Sequence, residues 1–281
     1  MKWHYDADMN IDRILEKLAQ EPALDIDLAS VSLELAKDEY PELDPLTYLT
    51  EIDRLATKLR PRLKGVPSND ANALCELLFV EEGYRGDSER YYDPENSYLN
   101  HVMDRRLGLP ITLSILAVAI GTRAGLHVDG IGLPGHFIAR LVIGREVVLF
   151  DPFHGGKVVS VADCEEIVER ATGQEFTATL DDLSPSPAGV IMRRLLTNLK
   201  GVYLRQGLFT NAARVIRRIL QLEPDNCLER RDLGVCLVQC GRPGPAIDQL
   251  SSYLHMSPVT ADAALVRKLL RQARTEVARW N

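Results

Sequence analysis

His136 and Asp151, fifteen residues apart, are the pair whose types and spacing best match acid–base machinery. They bracket two runs rich in β-branched and apolar residues, Phe137 to Ile143 and Glu146 to Asp151, separated by Gly144-Arg145, a two-residue hairpin loop of the glycine-first kind. If Ile143 pairs with Glu146, Ile138 faces Asp151 and His136 falls opposite Phe153. Imidazole and carboxylate then share one sheet face as diagonal neighbours, about 7 to 8 Å apart at the backbone. An Asp that reaches a His fixes its tautomer and orientation, which is two-thirds of a nucleophile–His–Asp triad. The same pair can equally serve only to fasten a hairpin.

The third member has to come from elsewhere. Gly108-Leu-Pro-Ile-Thr opens an apolar run through Ala124 that stops at Gly125, a buried helix beginning near Pro110. In papain-like and transglutaminase-like folds the nucleophilic cysteine sits at the N-terminus of such a helix, and His and Asp follow on strands. Helix, His, Asp is the order here, yet Gly108 to Ser114 contains no cysteine. Thr112 and Ser114 are hydroxyls near the helix start, Thr112 the better placed, although both can instead bond backbone. Cys75 lies in the apolar segment Ala73 to Val80, and Cys164 stands beside Glu165 and Glu166, which disfavour a thiolate. Neither restores a triad.

Cys227, Cys236 and Cys240 complete an odd, scattered set that reads as reduced thiols rather than a disulfide framework. Cys236 and Cys240 are one helical turn apart but lack companions for a four-ligand zinc site. Glu81, Glu82 and Asp87 read as carboxylates of a solvated, glycine-bearing turn. No metal and no cofactor is expected. Asn96, Arg105 and Arg106 precede the helix, where an arginine can grip a ligand carboxylate, or simply pair with Asp93, Glu95 or Asp104.

Asn96-Ser-Tyr-Leu-Asn-His-Val-Met-Asp-Arg-Arg-Leu-Gly-Leu-Pro-Ile-Thr-Leu-Ser114, Pro134-Gly-His-Phe137 and Asp151-Pro-Phe-His-Gly-Gly156, with Glu82-Gly-Tyr-Arg-Gly86 and Tyr91-Tyr-Asp-Pro94 upstream, resemble the SirB family of transglutaminase-like proteins. The resemblance runs from about Leu74 to about residue 260. It implies a transglutaminase-like core whose His and Asp positions are His136 and Asp151, and whose cysteine position, near Pro110, holds no cysteine in this chain. The family has no firmly established reaction, so the resemblance implies a fold more than an activity.

The elements around this core read as follows. Leu199, Tyr203, Gly207, Ala212, Ile216 and Pro224 recur after 34 residues as Leu233, Leu237, Gly241, Ala246, Leu250 and Pro258, the period of tetratricopeptide repeats. The glycines fall where two helices turn, the alanines where helices approach closely, and the prolines where the second helix ends. A last helix, with Ala263, Ala264, Val266, Leu269, Leu270, Ala273 and Val277 on one stripe, would cap the two repeats. Asp181 to Ala188 reads as a polar, proline-containing connector. Residues 11 to 80 show three- and four-residue apolar spacing punctuated by prolines. The expected organisation is α+β: a helical N-terminal region over 1–90 packed on a transglutaminase-like (papain-like) core over 91–180, a linker over 181–188, and all-α repeats over 189–281.

Charge divides the chain. Residues 1–100 are net −11, 101–188 net −4 and 189–281 net +8, within a total of −7 for 281 residues. A basic repeat region attracts acidic partners, with Arg217 as a candidate contact, while the acidic remainder repels phosphate backbones. No run approaches a membrane span, and Met1-Lys-Trp-His-Tyr-Asp6 lacks the apolar core of a secretory signal. The expectation is a cytoplasmic, non-catalytic scaffold that docks a protein or peptide through its repeats, with neither membrane nor nucleic acid as partner. The alternative is a hydrolase or acyl transferase using His136 and Asp151 with Thr112 or water.

Overall fold

Prolines and aspartates set where the first helices begin. In the computed structural model, which describes residues 10–257 and 259–279, helix α1 spans Ile11–Gln20, α2 Leu28–Ala36, α3 Pro45–Leu59 and α4 Pro67–Cys75. Asp27 and Asp44 accept the backbone N–H two residues on, at 3.2 and 3.1 Å, capping α2 and α3, and Pro45 and Pro67 occupy the first turns of α3 and α4. Each such cap satisfies a donor that the helix itself leaves open. A wider π-type turn, Glu76–Glu81, extends α4.

The short strands β1 (Arg85–Gly86) and β2 (Leu107–Gly108) pair in parallel, with α5 (Leu99–Arg105) between them. Helix α6, Pro110–Ala124, follows directly, and most of its residues are buried around its whole circumference. A helix apolar on every side belongs in the middle of a core, and α6 packs against α3 on one side and the main sheet on the other. It ends at Gly125, whose φ of +101° lies in the region an L side chain disfavours.

The main sheet is an antiparallel meander, β3 (His127–Leu133), β4 (His136–Ile143), β5 (Glu146–Asp151) and β6 (Lys157–Val159), in that spatial order. The β4–β5 register is the one the Gly144-Arg145 loop requires, Ile143 opposite Glu146 and Ala139 opposite Phe150. β3 and β6 have no counterpart in the sequence reading. Gly130 and Gly132 break the alternation of β3, and β6 has only three residues, too few for a period-2 signal. Helix α7 (Val161–Thr172), closed by a Ser160–Asp163 capping box, packs Cys164, Ile167 and Val168 against Ile131, Leu133, Ile138 and Val159.

The Asp181–Ala188 stretch is not a free tether. The backbone N–H of Ser186 donates to the Gly130 carbonyl at 2.9 Å, and the Ser186 hydroxyl accepts from the Gly132 N–H at 2.9 Å. β3 is the edge of its sheet, and these bonds cover donors and acceptors that an open edge leaves unpaired.

The chain divides into two units, one built on Pro22–Met192 and the other on the residues from Arg193 onward with Leu15–Glu21. The division falls within helix α8, Ala188–Arg205. In the second unit, α8, α9 (Phe209–Leu222), α10 (Cys227–Gln239) and α11 (Pro243–Met256) form two helical hairpins, closed by α12 (Ala263–Ala278). The 34-residue repeat has its expected physical basis. Gly207 and Gly241 turn at φ of +69° and +65°. Ala212 and Ala246 are fully buried, as are, nearly, Leu199, Tyr203, Leu233, Leu237, Ile216 and Leu250. The capping helix buries Ala263, Val266, Leu270 and Ala273, whereas Ala264, placed on the stripe by spacing, is exposed. Pro258 and the Met1–Asp6 segment lie outside the described residues. No helix among the described residues is long and apolar enough to cross a membrane.

Candidate functional site

A two-residue turn, Pro134-Gly135, returns β3 into β4 and leaves His136 as the first residue of that strand, paired with Leu133. Gly135 makes the turn with φ of +69°, and a Cβ there would lie 2.8 Å from the Ala171 side chain, so the position needs glycine twice over. Asp151 is the last residue of β5. After it the chain turns through Pro152-Phe153-His154-Gly155-Gly156, and the turn closes by a bond from the Gly156 N–H to the Asp151 carbonyl at 2.8 Å. Gly156 has φ of +73°, and a Cβ there would sit 2.8 Å from the Cys75 sulfur and 2.4 Å from the Phe79 ring.

The hairpin brings the two polar groups together. His136 Nε2 lies 2.8 Å from Asp151 Oδ2, with His136 7% and Asp151 1% exposed. The neutral tautomer that makes this bond carries its proton on Nε2 and turns Nδ1 the other way. A second ring shares the same oxygen: His154 Nδ1 stands 2.7 Å from Asp151 Oδ2. The other oxygen, Oδ1, accepts the backbone N–H groups of Phe153 at 3.0 Å and His154 at 3.3 Å. This is an Asx-type turn, in which an aspartate bonds its own backbone two and three residues on. Four donors thus meet one carboxylate, about its full capacity.

Burial alone would push the Asp151 carboxyl up, but the bonds and charge of His136, and then of His154, outweigh it and hold the group below the usual carboxylate range. The surroundings are aromatic. The Phe153 ring stands edge-on to His136 and His154, with centroids 6.1 and 5.2 Å apart, and Tyr91 packs edge-on to Phe153 at 6.0 Å. The His154 side chain is 54% exposed, so the cluster opens to solvent on one side.

Thr112 and Ser114 lie in the first turns of α6, but both hydroxyls are committed to backbone. Thr112 Oγ1, in a residue 1% exposed, accepts the Leu109 N–H at 2.9 Å and donates to the Asn96 carbonyl at 2.9 Å. Ser114 donates to the Pro110 carbonyl at 2.8 Å. Thr112 therefore caps the helix and ties it to the loop before it. The two thiols of the first unit are poised against reaction. Burial pushes Cys75 up to about 12 and Cys164, helped by the charges of Asp163 and Asp151, up to about 11. A nucleophilic cysteine is shifted the other way.

The remaining candidates fall into separate networks. Arg105 pairs with Glu95 at 2.9 Å, Asp87 at 3.2 Å and Asp93 at 3.9 Å. Asp87 is 4% exposed, not a solvated turn carboxylate, because Arg105 and the Arg90 N–H compensate its burial. Arg106 lies with its guanidinium over the Tyr84 ring, 4.5 Å from the centroid, and 3.8 Å from Glu82. Asn96 is fully buried, donates through Nδ2 to the Arg90 carbonyl at 2.8 Å, and leaves Oδ1 without a partner among the described residues. Arg217 is exposed on α9 in the second unit, where burial of its stem and the neighbouring Arg242 charge hold its pKa below the usual value.

His154 is the residue that sequence reasoning missed. Its signal was the Asp151-Pro-Phe-His154 spacing, because an Asx turn folds residue i+3 back onto the aspartate. A cavity of about 570 Å³ also occurs in the first unit, bordered by Asp27, Ile115, Arg123, Val128 and Pro187, but none of His136, Asp151 and His154 lines it.

Comparison with known proteins agrees with this architecture. A profile for the transglutaminase-like superfamily matches residues 46–197, and one for the tetratricopeptide repeat matches residues 199–271. A UPF0162 protein of Xylella fastidiosa is 37% identical over 249 residues, covering 85% of this chain and 87% of the relative. A UPF0162 protein of Pseudomonas aeruginosa is 27% identical over 75% of this chain and 76% of its own length. F-box only protein 21 of Mus musculus is 27% identical over 49% of this chain and 22% of its own length.

Proposed function

For a chain that belongs to the transglutaminase-like superfamily and continues into tetratricopeptide repeats, we propose a protein-docking function in which the core fold is retained without thiol catalysis. On its motifs we place it with the SirB family, and we take its compartment to be the cytoplasm. The observation that carries the reading is chemical. The helix start offers only hydroxyls bonded to backbone, and Cys75 and Cys164 are pushed to about 12 and about 11, where a thiolate is scarce at neutral pH.

Docking falls to the repeats. Stacked helical hairpins present an extended surface suited to a peptide or helix, and this region is net +8. An acidic protein segment is the complementary partner, and Arg217 with neighbouring Arg242 supplies local positive charge for it. Asn96, Arg105 and Arg106, spent on internal bonds and ion pairs, serve the core instead.

The test is affinity capture with the full chain and an Arg217→Glu variant. Capture of the partner should fall in the variant and weaken with salt. Unchanged recovery counts against the repeat face as the docking surface. The second reading, hydrolysis or acyl transfer by His136 and Asp151 with water as nucleophile, is favoured by the 2.8 Å bond between them. It predicts turnover of simple ester or amide substrates that disappears in His136→Ala.

A further inference from the structure

We propose that His136, Asp151 and His154 form a binding site for one divalent cation of the zinc class. Their ligand atoms, two imidazole nitrogens and a carboxylate oxygen, all lie within 4.8 Å of one another, the one such group found among the described residues. They come from the start of β4, the end of β5 and the turn beyond it, so the sheet itself assembles the set.

Three features separate this cluster from a buried His–Asp pair that only fastens a hairpin. First, such a pair needs one ring, and here a second ring shares the same oxygen, Oδ2. That ring is 54% exposed, where a pairing open to solvent adds little to stability, so fastening does not account for its placement. Second, the carboxylate is oriented from behind by the Phe153 and His154 N–H groups on Oδ1, the outer-shell support that fixes a metal-ligating carboxylate. Third, exposure of His154 leaves an entry path and room for water in the remaining coordination positions.

The separations of 2.7 and 2.8 Å are those of hydrogen bonds. A tetrahedral cation with ligand bonds near 2.0 Å sets its donor atoms about 3.3 Å apart. Binding therefore opens each contact by roughly half an ångström, each neutral ring moving its proton from the ligating nitrogen to its other nitrogen, and His154, on a turn beyond the strand, can supply the movement. The donor chemistry selects the ion. Two imidazoles and one carboxylate suit zinc and its neighbours, whereas magnesium and calcium require mostly oxygen.

The test uses the full chain, stripped of metal and titrated separately with Zn²⁺, Co²⁺ and Mg²⁺. Wild type should bind one equivalent of Zn²⁺, show the visible bands of Co²⁺ in nitrogen and oxygen coordination, and ignore Mg²⁺. His154→Ala, an exposed change whose fold is to be verified by circular dichroism, should weaken Zn²⁺ binding by at least about tenfold, the least that even an outer-shell loss costs. Zn²⁺ should raise the melting temperature of wild type but not of this variant. Equal Zn²⁺ affinity in His154→Ala, no binding by wild type, or a sulfur-to-cobalt charge-transfer band would each overturn the proposal. None of these readouts involves the repeat surface, so this site and the docking role fail independently.

Discussion

Replacing Asp151 with asparagine removes a charge and leaves the shape, so the loss can be worked from the four bonds the carboxylate accepts. The amide oxygen can keep the Phe153 and His154 N–H groups at 3.0 and 3.3 Å. Its NH₂ then faces two rings that presented N–H to Oδ2, a clash of donors. His154, 54% exposed, turns to water at little cost. His136, 7% exposed, must change tautomer or lose its bond. A bond to a charged group contributes about 1.5–3 kcal/mol, so Asp151→Asn should cost about 2–3 kcal/mol and His154→Ala under about 0.5. The assay is urea unfolding in a metal chelator at neutral pH.

The pH arm follows from the lowered Asp151 carboxyl. Its contribution is present in full above the unfolded value near 3.9 and is lost as pH falls through the lower folded value. The gap between wild type and Asp151→Asn should hold down to about pH 4 and close below it. A loss under about 0.5 kcal/mol in Asp151→Asn, or an equal loss in His154→Ala, would refute the bond-by-bond reasoning.

Other outcomes follow from the same structure. Native iodoacetamide labelling should modify half-buried Cys227 and Cys240 before Cys75, Cys164 and Cys236; rapid alkylation of Cys75 or Cys164 would revive a thiol mechanism. Gly156→Ala should lower stability by about 2 kcal/mol or more, read from the melting temperature, because the positive φ and the crowding by Cys75 and Phe79 act together. Thr112→Val should cost about 1–3 kcal/mol in urea unfolding by stranding the buried Leu109 N–H. Ala246→Leu should cost about 1–3 kcal/mol from overpacking in the repeats, with His154→Ala as the near-neutral comparison.

Sequence by itself determined whatever repeats or alternates. A 34-residue period sets the turn glycines and the close-packed alanines because each repeat meets its neighbours in the same way. The Gly144-Arg145 loop determined the β4–β5 register, since a two-residue hairpin admits one pairing, and that register placed His136 beside Asp151. Tertiary structure decided what depends on contacts distant in sequence or on turn geometry: the edge strand β3 beneath Ser186, the burial of Asp87 by Arg105, and the commitment of the Thr112 hydroxyl to Asn96. It also decided that His154 folds back to share Oδ2. Periodicity reports which face of an element is buried; it carries no information on which partner a polar side chain meets, because that is set by the crossing of chains far apart in the sequence.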